Sequence, residues 1–133
     1  MRDGCAEFVR TLDHIASGDI SVPVARIPDF LRESQAGLRE IDPATVFLAF
    51  GHMGDGNLHY VFCTPQKAPA MDRLLRMVAA YGASISAEHG IGVDKKAWLH
   101  LSRSTAEIAT LRALKATLDP RGILNSGRIF DPL

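Results

Sequence analysis

Three of the five histidines in this chain, with one glutamate, fall inside two glycine-rich stretches: Gly51-His52-Met53-Gly54-Asp55-Gly56-Asn57-Leu58-His59 and Ser86-Ala87-Glu88-His89-Gly90-Ile91-Gly92. A solvent-facing loop gains little stability from such a grouping, whereas a divalent metal site needs it. Two neutral imidazoles and one carboxylate hold an ion and leave positions open for substrate oxygens. We assign His52, His59 and Glu88 to the metal. His89 then stands beside the site as the candidate general base, since a free imidazole titrates near ~6.5. His14 and His100 lie outside both clusters and read as structural or exposed. The Lys95-Lys96 pair reads as a solvated helix face, and Trp98 as core.

The spacing gives a reason for the histidines to meet. Asp55-Gly56 is a hairpin signal, because a type I′ turn needs positive φ at both central positions. A turn there pairs His52 with His59, Phe50 with Val61 and Leu48 with Cys63. Directly paired residues have Cβ atoms about 4.5–5.5 Å apart, close enough to share one ion. Glycines 51, 54 and 56 allow a looser connection, which changes the distance but not the neighbourhood. Glu88 and His89 follow Ser84-Ile85-Ser86, and successive strand residues point to opposite sides. One can face the metal while the other faces substrate.

These residues need a frame, and the hydrophobic periodicity supplies it. Strands are expected at Asp19-Ile20-Ser21-Val22, Val46 to Phe50, Leu58 to Cys63 and Ala83 to Ala87. The second and third are continuous apolar runs, which predicts burial on both faces. Helical spacing runs over Ala6–Ala16, Ile27–Ile41, Ala68–Tyr81, Val93–Leu101 and Ser104–Leu118. Ser104-Thr105-Ala106-Glu107 has capping-box spacing at the last of these. The order predicts an α+β fold: an antiparallel sheet with a ferredoxin-like β-α-β-β-α-β core, plus flanking N- and C-terminal helices.

At 133 residues the chain suits one domain. Lys plus Arg and Asp plus Glu are both 15, so no basic excess points to nucleic acid or to an anionic membrane. Its apolar runs fall short of a membrane span. The N-terminus Met1-Arg2-Asp3-Gly4-Cys5 lacks the apolar core of a secretory signal. Cys5 and Cys63 form no CxxC pair and read as reduced, buried thiols. A cytoplasmic location is expected.

The two motifs, with the tail Asp119-Pro120-Arg121-Gly122-Ile123-Leu124-Asn125-Ser126-Gly127-Arg128, resemble the C-terminal domain of FAD-linked oxidases. This is the vanillyl-alcohol-oxidase type, with glycolate oxidase FAD subunits, D-lactate dehydrogenases and D-2-hydroxyglutarate dehydrogenases. The segment Asp19-Ile20-Ser21-Val22-Pro23 with Arg26-Ile27-Pro28 is similar too, so the likeness covers about residues 19 to 130. Three positions depart from the family's pattern: Val61 replaces an Asn of many relatives, Ser17 a Lys frequent in those acting on dicarboxylates, and Asn125-Ser126-Gly127 stands for Asn-Pro-Gly.

The resemblance implies that His52, His59 and Glu88 hold a divalent ion, zinc first, with manganese and iron also suited. His89 would take the hydroxyl proton of a small 2-hydroxy acid while its α-hydrogen leaves as hydride to flavin N5. Asn125 and Gly127 would approach the FAD cofactor. No phosphate-cradling GxGxxG occurs, so residues 1–133 are expected to be a single substrate- and metal-binding cap domain that needs a flavin-binding domain or subunit for turnover. An apolar surface is expected where that partner, or a second copy in a homodimer, would dock. The alternatives are a non-catalytic remnant acting as a binding or structural domain and, as a third reading, a metal-assisted hydrolase.

Overall fold

A computed structural model describes residues 12–52 and 54–131. Three antiparallel strands, β1 (Ile15–Ser21), β2 (Val46–His52) and β3 (Asn57–Cys63), form a sheet in the order β1-β3-β2. Helix α1 (Ile27–Arg39) joins β1 to β2, and α2 (Lys67–Ala80) follows β3. The short α3 (Leu99–Ser102) and the C-terminal α4 (Thr105–Leu118) complete the chain. The expected α+β class is the observed one.

Period-2 alternation in β3 sorts its side chains onto two faces. Leu58, Tyr60 and Phe62 join Ile20 of β1 against the helices. Ile27, Phe30 and Leu38 of α1, with Leu74, Leu75 and Val78 of α2, close this core at helical spacing. One polar pair is buried within it: Ser34 Oγ and the Tyr60 hydroxyl are hydrogen bonded at 2.9 Å. Burial pushes the Tyr60 phenol up to about 12, so it stays protonated. The opposite face of the sheet carries Asp19, Phe50, His59 and Val61 and is left for the site.

Five expectations are corrected. The hairpin register pairs His52 with Asn57 and Phe50 with His59, a shift of two residues from a tight turn on Asp55-Gly56. The longer connection follows from its glycines and local caps. Gly56 adopts φ +76°, its carbonyl accepts from Val22 N at 2.9 Å, and Asp55 Oδ1 accepts from Asn57 N at 3.1 Å. Strand β2 is not buried on both faces: it is the outer strand, and Val46 is half exposed.

The fourth strand is reduced to one bridge, Ser21 with Ser84. It lies beside β1, where a split βαβ core has its last strand. Ser84 Oγ donates to the Ser86 carbonyl at 2.7 Å and Ser86 Oγ to that of Gly90 at 2.7 Å. Such local bonds compete with a sheet ladder. Finally, Ile15 and Ala16, expected at the end of a helix, lie in β1 opposite Cys63 and Phe62. Residues 6–11 of that expected helix, and Cys5, lie outside the described residues. The stretch 93–101 is a turn and 3-10 segment leading into α3 rather than one helix.

Candidate functional site

The site begins with one cross-strand row. Asp19 of β1 and Phe50 of β2 both pair with His59 of β3, so the three share the face away from the helices. Asp19 is buried, and its Oδ2 accepts from three successive backbone amides: Ala87 at 3.1 Å, Glu88 at 2.9 Å and His89 at 3.0 Å. Consecutive N–H groups converging in this way form a nest for an anion. Burial pushes the Asp19 carboxyl up, but the Glu88 and His89 amides, with charge on His89 and Lys95, outweigh it and hold it below its ordinary value. The carboxylate thereby draws the second motif down onto the first.

That loop delivers Glu88 and His89 to His59. The His59 Nε2 lies 3.5 Å from Glu88 Oε1, and its Nδ1 lies 3.7 Å from Asp19 Oδ1. His89 stacks on His59 with ring centroids 5.8 Å apart and sets its Nε2 3.7 Å from the same Glu88 oxygen. Phe50 packs on the other side of His59, at 5.3 Å between centroids. His59 is largely enclosed, while Glu88 and His89 are open to solvent.

The donor set fits a metal ion. An ion with tetrahedral bonds of about 2.0–2.2 Å holds its donors about 3.3–3.6 Å apart, the separation of His59 Nε2 and Glu88 Oε1. The ligand atoms of Asp19, Glu88 and His89 also lie within 4.8 Å of one another. Asp19 Oδ1 is buried without a hydrogen-bond partner, an unmet demand for positive charge at the centre of the group. His52 is not among these contacts. Its register keeps it on the face of His59 but one diagonal step along the hairpin, a separation of roughly 7–8 Å.

A cavity of about 1220 Å³ opens beside His59 and His89, with Ser17, Val61 and Lys95 among its lining residues. Ser17 and Val61, two of the departures from the family pattern, are direct cross-strand partners. Lys95 and Lys96 do not form a solvated face. Lys95 Nζ donates to the Asp19 carbonyl at 2.9 Å, and burial lowers its pKa. Lys96 Nζ donates to the Gly127 carbonyl at 3.1 Å, tying the tail to the same loop. Trp98 packs against the core, and its Nε1 donates to Asp72 at 2.9 Å.

The tail residues are placed apart from the histidine cluster. Asn125 takes a left-handed φ of 47°, its carbonyl accepts from Arg128 N at 3.2 Å, and its side chain is exposed. Gly127 lines a second cavity, between α4 and the tail. Nothing in this region cradles a dinucleotide. Among the described residues, the two turns that lead from a strand into a long helix, Val22-Pro23-Val24-Ala25-Arg26 before α1 and Thr64-Pro65-Gln66 before α2, lack glycine. The described residues do not by themselves fit FAD.

Asp19 and Lys95 are the site residues that the sequence did not single out. An acid at an inward-facing position of a strand was the available signal, and it acquires meaning only once the register sets it opposite His59.

Comparison with known proteins agrees with the motifs. The family model "FAD linked oxidases, C-terminal domain" matches residues 6–129. The chain belongs to that family. A D-2-hydroxyglutarate dehydrogenase of Stutzerimonas stutzeri (strain A1501) is 43% identical over 125 residues, covering 84% of this chain and 26% of the relative. One from Xanthomonas citri pv. viticola is 41% identical over 123 residues, 85% of this chain and 26% of the relative. A probable mitochondrial D-lactate dehydrogenase of Danio rerio is 31% identical over 139 residues, 98% of this chain and 26% of the relative. This FAD-linked oxidase domain therefore spans about a quarter of the length of these relatives. Among the described residues, no helix is long and apolar enough to cross a membrane.

Proposed function

We propose that this domain binds the substrate and a divalent metal ion for an FAD-linked D-2-hydroxy acid dehydrogenase. The observation that carries the reading is the His59–Glu88 pair at metal-sharing distance with His89 stacked alongside. Two relatives named for D-2-hydroxyglutarate and one for D-lactate support the substrate class. His59 and Glu88 supply two donors, and His52, on the same face, supplies the third. Zinc is the first choice for two imidazoles and a carboxylate, and manganese or iron also suits them. When bound, such an ion polarises the hydroxyl and carboxylate of the substrate and lowers the cost of a developing alkoxide.

The chain's own residues do the rest. His89 Nε2, beside Glu88, takes the substrate hydroxyl proton. Val61 and Ser17 set the wall against which the substrate side chain lies. Phe50 closes the far side of His59 and keeps water from it. The flavin would be held by a flavin-binding domain or subunit, so this domain alone would bind substrate without turning it over.

The test is elemental analysis of the purified chain, followed by calorimetric titration of the zinc-loaded form with D-lactate and D-2-hydroxyglutarate. About one divalent ion per chain is expected, lost in His59→Ala and in Glu88→Gln. Tighter binding of a D- than an L-hydroxy acid should follow. A chain that takes up no zinc, manganese or iron would overturn the reading.

A further inference from the structure

One residue holds both ends of the loop that carries the catalytic groups. At its head, the Ala87, Glu88 and His89 amides converge on Asp19 Oδ2, and Ala87 N also reaches the Asp19 carbonyl at 3.3 Å. At its tail, the Lys95 ammonium binds that same carbonyl. The turn between these points carries glycines with φ +74° and +57° at 90 and 92, and Ser86 Oγ on the Gly90 carbonyl and Lys95 N on that of Ile91 hold it locally. The carboxylate's other oxygen, Oδ1, is buried and has no hydrogen bond, and it faces His59 Nδ1 at 3.7 Å.

We propose that Asp19 is the positioning residue of the site. Its Oδ2 fixes the turn that presents Glu88 and His89, while the unpaired charge on its Oδ1, 3.7 Å from His59 Nδ1, draws the ring proton to that nitrogen and leaves the His59 Nε2 lone pair facing Glu88. His59 stands between two carboxylates, and a neutral imidazole has one proton to give. Asp19 wins it on burial. Its side chain is 5% exposed and Oδ1 has no other donor, whereas the Glu88 side chain is 47% exposed and hydrated. An electrostatic attraction inside the protein is screened less than one at the surface. With the opposite tautomer, the Nδ1 lone pair would face a buried anionic oxygen. A metal-binding histidine commonly gives its second N–H to a carboxylate in this way, which turns the ring and raises its basicity. The use made of the free lone pair rests on the function proposed above; the tautomer itself does not.

The experiment is long-range ¹H–¹⁵N correlation of the His59 ring in the metal-free chain at mildly alkaline pH, for wild type and Asp19→Asn. Wild type should show His59 mainly as the Nδ1–H form. In the Asn variant the side-chain oxygen stays with the three amides and the NH₂ turns to His59, so the tautomer should invert to Nε2–H. Zinc affinity should fall about 10–100-fold, as for loss of an outer-shell partner. A wild-type His59 that is mainly Nε2–H, or an even mixture, overturns the proposal whether or not the variant folds. So does an Asn variant with unchanged tautomer and zinc affinity. Should wild type bind no metal while the Nδ1–H form is present, the metal-site reading fails and the role of Asp19 stands.

Discussion

Around Asp19 each element is tied to another: β1 to β3 by pairing, the hairpin turn to Val22 through Gly56, and the 87–95 loop to β1 at both ends. Helix α4 is the reverse. None of its residues is buried, and Leu111, Leu114 and Leu118 stand exposed with Ile123 and Leu124 of the following tail. Its integrity comes from local devices, a full capping box at Ser104–Glu107 and the Lys115–Asp119 ion pair. The contrast teaches that contacts between distant elements hold the polar cluster in place, whereas α4 is held by local contacts and leaves its leucines exposed. Exposed apolar groups gathered on one helix and the tail beside it form the kind of patch that an interface uses.

The largest expected effect tests the tied region. A Cβ on Gly56 would lie 2.1 Å from the Val22 carbonyl oxygen, at a φ of +76°. Gly56→Ala should therefore cost about 3 kcal/mol or more of unfolding free energy, read by urea denaturation. A loss below about 1 kcal/mol would mean that the hairpin turn is not docked on β1.

Ser104→Ala removes the α4 cap and should cost about 1 kcal/mol of local helix stability. Because α4 buries nothing, the loss should appear as reduced far-ultraviolet helicity with the melting midpoint of the core unchanged. A lowered midpoint would show that α4 and the sheet unfold together. Leu118, 78% exposed, sharpens the same contrast. Leu118→Ser should leave stability within about 0.5 kcal/mol while weakening capture of a hydrophobic dye.

The smallest effect is electrostatic. The Arg76 guanidinium, and then the Trp98 indole N–H, hold the Asp72 carboxyl below its ordinary value. A depressed carboxylate contributes stability at neutral pH that is lost as pH falls through its folded-state pKa. Trp98 is the single tryptophan, so its fluorescence should change in acid below the usual carboxylate range. A change centred above that range would contradict the pairing.

Much of the fold could be read before any coordinates. Helices α1, α2 and α4 and the three paired strands lie where periodicity puts them, within a few residues. The failures share a cause. Ile15 fits helical and strand spacing equally well, and only pairing with Cys63 decides between them. Ser84 and Ser86 sit in a strand-like run, yet their hydroxyls satisfy the local backbone instead of a ladder. The hairpin register moved by two, and since strand faces repeat every two residues, His52 and His59 kept a common face while losing their direct pairing.

The sequence by itself determined which segments hold the clustered imidazoles and the carboxylate, because glycine-rich turns and residue types at those spacings are local features. It also determined the antiparallel α+β class, through apolar periods that each element needs in order to bury one face. Only the tertiary structure set Asp19 under the Ala87, Glu88 and His89 amides and Lys95 against the Asp19 carbonyl. Both assignments depend on contacts with residues about seventy positions away along the chain. No local pattern encodes such a contact; it exists once β1 and β3 pair and the 87–95 loop settles on the buried carboxylate.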